Sequence, residues 1–331
     1  MEHIWIALAF CAQILWAFGI FLDKYLLGGT RDQENREVTE DDVPMAIGVL
    51  IITSAMLVGM VAIAIFGWMM FTSGFSAAIE GVTFHTDQIP KGLLIGFLEV
   101  LWLIPYFKAL QLTDETVAPP VFQTIPVFGF ALGYFIFDEM PSTTHLIASV
   151  AIVAGSLLLN VEILREEKRE HKFTLHWKPV CLMLLSASII AFLGFYFKDT
   201  SETSGFGPTA IWTAVGASLT GVLLWAVVPS WRREFNAFAR ARDYKLMGLT
   251  VINEILDDSA IFIYYAAIAY GTSTVLVQST IAWQPIILLG LTIIFKKIGG
   301  LKGRRELSAT EWWMRCGSIT LITVGTMVTF F

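Results

Sequence analysis

Charge is what this sequence has least of. Only 15% of its 331 residues are Asp, Glu, Lys or Arg, against 56% hydrophobic residues, and its mean hydropathy is +0.67. A soluble domain needs a far more charged surface. Cysteine is nearly absent as well. Cys11, Cys181 and Cys316 stand apart inside apolar stretches, with no spacing for a disulfide framework or a metal site, so their expected role is packing. There is no HExxH, no GxSxG, no P-loop and no histidine pair at ligand spacing, so hydrolase and nucleotide-binding chemistry have no footing. No catalytic residue, metal, cofactor or nucleic-acid partner is expected. The alternation of apolar and polar residues over roughly ten positions that marks a membrane barrel is also missing.

What the chain does have is apolar blocks of membrane-spanning length, enough to cross a ~30 Å hydrocarbon layer at ~1.5 Å per helical residue. They fall near 4–27, 44–70, 91–112, 115–137, 143–163, 177–198, 207–229, 246–270, 273–295 and 312–331. The expectation is an all-α polytopic membrane protein with ten transmembrane helices and the lipid bilayer as its surroundings. "MEHIWIALAF" carries no basic stretch before its apolar run and no small-residue cleavage site, so it reads as an uncleaved first span.

The basic residues crowd one set of connections. "REEKREHKFTLHWK", "RREFNAFARARDYK" and "KKIGGLKGRRE", with Arg31 and Arg36, follow odd-numbered spans, while the opposite side keeps little more than Lys91 and Lys198. Lys and Arg are retained in the cytoplasm, so these loops are expected inside and both termini outside, in the cell membrane of a prokaryote. Arg233 to Arg242 has two readings, an amphipathic segment on the membrane surface or a plain solvated loop.

Ten spans divide into five and five, and an odd number per half inverts the second half relative to the first. The halves are 1–163 and 177–331, joined by a basic linker at 164–176. Glu99 and Glu254 are 155 positions apart (254 − 99), as are Gln123 and Gln278 (278 − 123). "AFGIFLDK" and "AFLGFYFK" open the two halves, and "FIFDEMPS" in the first corresponds to "IIFKKIGG" in the second.

These residues carry a family likeness. Ala118 to Asn160, with its Pro-containing span, an acid at Glu139, a tight loop and Gly155, resembles the end of an EamA-type repeat of the drug/metabolite transporter superfamily. Ile14 to Leu27 is similar to the first span of such repeats, with Trp16 and Lys24 in place. The second half matches more loosely, because Lys296 and Lys297 replace the acid and the last loop is longer. The resemblance implies a secondary transporter of a small organic metabolite, such as an amino acid or amine, working by alternating access. It also implies cytoplasmic termini, whereas the basic residues argue for the reverse, and the size of the charge asymmetry sets the expected orientation.

The candidate site starts from "NEILDDS". Glu254, Asp257 and Asp258 share neighbouring parts of one helical face, in the middle of an apolar run where each charge costs ~2.5–3.5 kcal/mol to insert. Glu99, Trp102 and Tyr106 in span three, and Gln123, Gln278, Trp283 and Gln284 in spans four and nine, lie at similar depth and are expected to converge on a central pocket. Acids this close repel one another, so at least one is expected to hold a proton near neutral pH, which makes the proton a candidate coupling ion. Trp and Tyr side chains there could stack on a cation. A purely structural reading pairs Asp257 or Asp258 with a lysine such as Lys24 or Lys198. Pro119, Pro120, Pro126 and Pro285 are candidate hinges, with simple packing kinks as the alternative. A rival function is a membrane-embedded enzyme of the prenyl-transfer type, with Asp257-Asp258 holding magnesium diphosphate; it would require a second acidic cluster, and the first half offers only Glu99.

Overall fold

The computed structural model describes residues 4–26, 47–83, 85–112, 122, 124–137 and 177–284, with isolated positions between 142 and 155 and between 287 and 328. Every regular element among them is helical. In chain order they are α1 (Ile4–Leu26), α2 (Ile47–Ser73), α3 (Phe75–Thr83), α4 (Ile89–Leu101), α5 (Leu103–Leu112), α6 (Ile125–Ile136), α7 (Trp177–Ser204), α8 (Phe206–Val227), α9 (Pro229–Ala241), α10 (Tyr244–Tyr270) and α11 (Thr274–Ser279). Among the described residues Ile47–Ser73, Thr86–Leu110, Trp177–Ser204 and Phe206–Val227 are long and apolar enough to cross a bilayer. The 27 residues of α10 extend about 40 Å at ~1.5 Å per residue. Three carboxylates at its centre set it apart from those four.

α10 is packed against α1, α2 and α7, so its acidic face meets protein. Its start is fixed locally: the Asp243 carboxylate accepts from the backbone N–H groups of Lys245 (3.1 Å) and Leu246 (3.0 Å), satisfying two of the donors a helix N-terminus leaves over. α7 and α8 meet at Gly205, whose φ of +84° is a conformation that residues with a Cβ rarely adopt. α4 and α8 approach backbone to backbone at Gly96 and Gly216: a Cβ on Gly216 would lie 2.5 Å from the Leu93 carbonyl oxygen, and one on Gly96 would meet the Thr213 carbonyl oxygen. Small residues at such a crossing are the usual means by which membrane helices gain contact.

Several expectations are refined. Span three is two helices meeting at Trp102, because Pro105 has no N–H to give the Leu101 carbonyl and its ring crowds that carbonyl; Ser186 Oγ donates to the Trp102 carbonyl at the break (2.8 Å). The connection after span two contains α3 and a 3-10 turn, Thr86–Gln88. Span six continues beyond residue 198 to Ser204. The solvated-loop reading of Arg233 to Arg242 gives way to α9, a helix through Ala241 that Arg242 closes in a left-handed conformation. Trp231 of α9 seats against Gly48 at the start of α2. Cys11, Cys181 and Cys316 are exposed and so do not serve as buried packing residues; they belong to the outward faces of their helices.

Candidate functional site

A cavity opens where α1, α2, α4, α5, α7 and α10 converge. It holds about 830 Å³ of unfilled space, its open mouth included. Three positions of α1 line it, Trp16, Ile20 and Asp23, at the spacing of one helical face. Glu99 comes from α4, and the break at Trp102 lets Trp102, Tyr106 and Phe107 of α5 form the neighbouring wall with Phe122. α10 supplies Glu254, Asp257, Ile261, Tyr264 and Tyr265, and Gln284 closes one side.

The polar groups fall into two sets. Asp23 and Glu99 are fully engaged. Asp23 accepts from Asn253 Nδ2 (2.9 Å) on one oxygen and from the Tyr106 hydroxyl (3.2 Å) on the other, joining α1, α5 and α10. Glu99 accepts from the Trp102 indole N–H (3.2 Å) and from the Tyr265 hydroxyl. Tyr265 is in turn fixed by parallel stacking on Phe197, with ring centroids 4.1 Å apart. The other set is open. Glu254 Oε1, Tyr264 Oη and Gln284 Oε1 are buried with no hydrogen-bond partner, and the half-buried Asp257 faces the same space. Trp16 leans on Tyr264 at 5.0 Å, while Tyr106 stacks on Phe122 at 5.3 Å.

The expected site residues are distributed as follows. Glu99, Trp102, Tyr106, Glu254, Asp257 and Gln284 all line the cavity. Asp258 turns toward α2, where the Ser54 hydroxyl reaches it at 3.5 Å. Gln278 is engaged elsewhere: its amide donates to the Ala191 carbonyl (2.9 Å), and it lies against Gly129 and Gly194. Trp283 packs edge-on against Phe10, 5.2 Å between centroids. Pro126 occupies the first turn of α6, where its missing N–H interrupts no ladder. Gln123, Pro119, Pro120, Pro285 and the Lys24 side chain lie outside the described residues. Lys198 donates to the Thr272 carbonyl (3.4 Å).

Sequence reasoning passed over Asp23, Ser54, Phe107, Phe122, Tyr264 and Tyr265, and took Trp16 only as part of a family likeness. Asp23 carried the same signal as the α10 acids, a carboxylate inside an apolar span, but its neighbour Lys24 drew the reading instead. Nothing local marks the tyrosines, because an aromatic residue in a membrane helix can face lipid or protein equally well.

No curated protein matches the chain. A solved structure described as "Crystal structure of protein" is similar over 99% of this chain and 97% of that one, with a TM-score of 0.65 and 16% identity, a likeness that shows a shared fold alone. Residues 44–161 match the model of the EamA-like transporter family, the family that Ala118 to Asn160 resembles.

Proposed function

We propose that the protein is a secondary transporter of a small organic metabolite, built as ten spans in two inverted five-helix repeats, 1–163 and 177–331, with 164–176 as the linker. One observation carries the proposal: a single cavity is lined by carboxylates from both halves, Asp23 and Glu99 from the first and Glu254 and Asp257 from the second. The helix packing supports the repeat. Between the two halves, exchanging a span for its counterpart gives matching neighbours: α4 on α8 answers to α10 on α2, α1 on α10 to α7 on α4 and α5, and α6 on α7 to α11 on α1. The pairs α2 with α8 and α6 with α11 are their own images. A site on such an axis can be offered to either side by rocking one half against the other.

The enzymatic alternative has less support. Asp257 faces the cavity while Asp258 turns to Ser54, so the two do not act as one chelating pair. Among the described residues no three His, Cys, Asp or Glu groups are placed to hold a metal ion.

Proton coupling follows from the same carboxylates. Glu254 and Asp257 share the cavity with Asp23, Glu99 and Tyr106 and with Tyr264 and Tyr265 of their own helix, and Asp258 follows them on α10; substrate and proton would compete for this set. In acid-loaded liposomes holding the purified protein, a substrate from a panel of amines, amino acids and sugars is expected to drive proton flux. Converting Asp257 and Asp258 together to Asn is expected to flatten the dependence of uptake on pH. An active double mutant with an unchanged pH profile would assign both acids to structure.

Orientation gives a further prediction. Lys91 pairs with Asp199 at 3.3 Å at the start of α4 and the end of α7, and the basic helix α9 caps the opposite ends of the bundle. With the basic face inside, a reporter fused after Phe331 is expected outside the cell and one inserted within 165–173 inside. A C-terminal reporter active only in the cytoplasm would reverse this orientation.

A further inference from the structure

The cavity's unsatisfied atoms are all acceptors or acceptor-capable. Glu254 is 2% exposed, Tyr264 2% and Gln284 5%, yet Glu254 Oε1, Tyr264 Oη and Gln284 Oε1 have no partner. Buried polar atoms in folded proteins are almost always paired, and leaving one unmet is costly. The described lining contains no basic side chain to meet them. Asp257, beside them on the same helix, presents its carboxylate to the same space.

Both remaining carboxylates of the lining already have two donors each, so they add negative charge without needing a partner. The walls between these groups are aromatic and aliphatic: Trp16, Phe107, Phe122 and Ile261. Ring faces attract cations, and the apolar area suits a hydrocarbon body.

We propose that the substrate is a small organic cation carrying N–H donors on an apolar body, a primary amine, held by Glu254 and Asp257 with Tyr264 and Gln284. The assignment rests on the transporter reading and narrows it. A zwitterionic amino acid would bring a carboxylate into a cavity already holding four, with no basic side chain among the described lining residues to receive it. Removing that carboxylate turns the same molecule into a fitting ligand. A quaternary ammonium ion has the charge but no N–H to give the open acceptors.

The test uses one ring system with four headgroups. Purified full-length protein is titrated with phenethylamine, phenylalanine, phenylacetate and phenyltrimethylammonium, following thermal stability and the fluorescence of Trp16 and Trp102. Phenethylamine is expected to raise the melting temperature and to bind at least tenfold more tightly than the other three. Asp257→Asn and Glu254→Gln, made separately, are each expected to weaken it tenfold or more while the unliganded protein melts within a few degrees of the parent. If one variant fails to fold, the other carries the comparison. Tighter binding of phenylalanine or phenylacetate, or amine binding unaltered in a folded variant, would overturn the cation assignment. Equal binding of phenyltrimethylammonium would overturn the N–H requirement. A liposome assay separates this from the broader reading: uptake of phenylalanine without phenethylamine refutes the amine and keeps the transporter, and tight amine binding without any flux supports the cation site while refuting the transporter.

Discussion

Gly216→Ala is expected to destabilise the protein by roughly 2–3 kcal/mol, toward the upper end of overpacking costs, although alanine is the better helix former. The added Cβ would sit 2.5 Å from the Leu93 carbonyl oxygen and 2.7 Å from its Cα. These are backbone atoms of α4, so no side chain can swing aside and the two helices must separate. Gly96 lies at the same crossing, with the Thr213 and Ala217 backbones in its way, and Gly96→Ala should behave alike. Gly67→Ala is the matched control. It makes the same change in α2, where nothing lies within 4 Å of the new atom, and should be neutral or add up to about 1 kcal/mol of helix propensity. Melting curves of the three purified variants check this; equal curves for Gly216→Ala and Gly67→Ala would mean that α4 and α8 are not in backbone contact.

Glu99→Gln should do the reverse, reducing transport tenfold or more while stability stays close to that of the parent. A glutamine can keep both bonds of the native carboxylate: its amide oxygen accepts from the Trp102 indole, and its amide nitrogen donates to the Tyr265 hydroxyl, whose proton can rotate away. Only the charge is lost. Because Glu99 faces Glu254 and Asp257 across one cavity, removing that charge weakens the pocket's attraction for a cation and its capacity for protons. The measurements are initial uptake rates in liposomes alongside thermal melts. Unaltered uptake would leave Glu99 a structural tie between α4, α5 and α10.

The two predictions draw on features of unequal legibility. Glu254, Asp257 and Asp258 stood out because an acid in an apolar run is expensive enough to demand a reason, and Glu99 followed from its spacing to Glu254. The crossing of Gly96 and Gly216 carried no such mark. In a soluble helix the core-facing stripe can be read from its period, but a membrane helix is apolar toward lipid and protein alike. Sequence therefore located α10 and its acids without showing that Asp257 faces the cavity while Asp258, one residue later, faces Ser54. The same blindness placed Gln278 in the pocket, although its amide is engaged by the Ala191 carbonyl. Proline was read as a hinge at Pro119, Pro120, Pro126 and Pro285, yet the described break lies at Trp102. There Pro105 acts alone, having no N–H to offer the Leu101 carbonyl one turn back.

The central claim is that one cavity serves both sides of the membrane, and labelling a cysteine within it tests this without knowing the substrate. Ser54 lines the cavity and is 8% exposed, so Ser54→Cys places a thiol beside Asp258. Cys11, Cys181 and Cys316 would first be replaced by serine to remove the exposed thiols. A charged, membrane-impermeant thiol reagent is then applied to right-side-out and to inside-out vesicles. Alternating access predicts labelling from both sides, with saturating phenethylamine slowing each. Labelling from one side only, with or without the amine, would contradict the account.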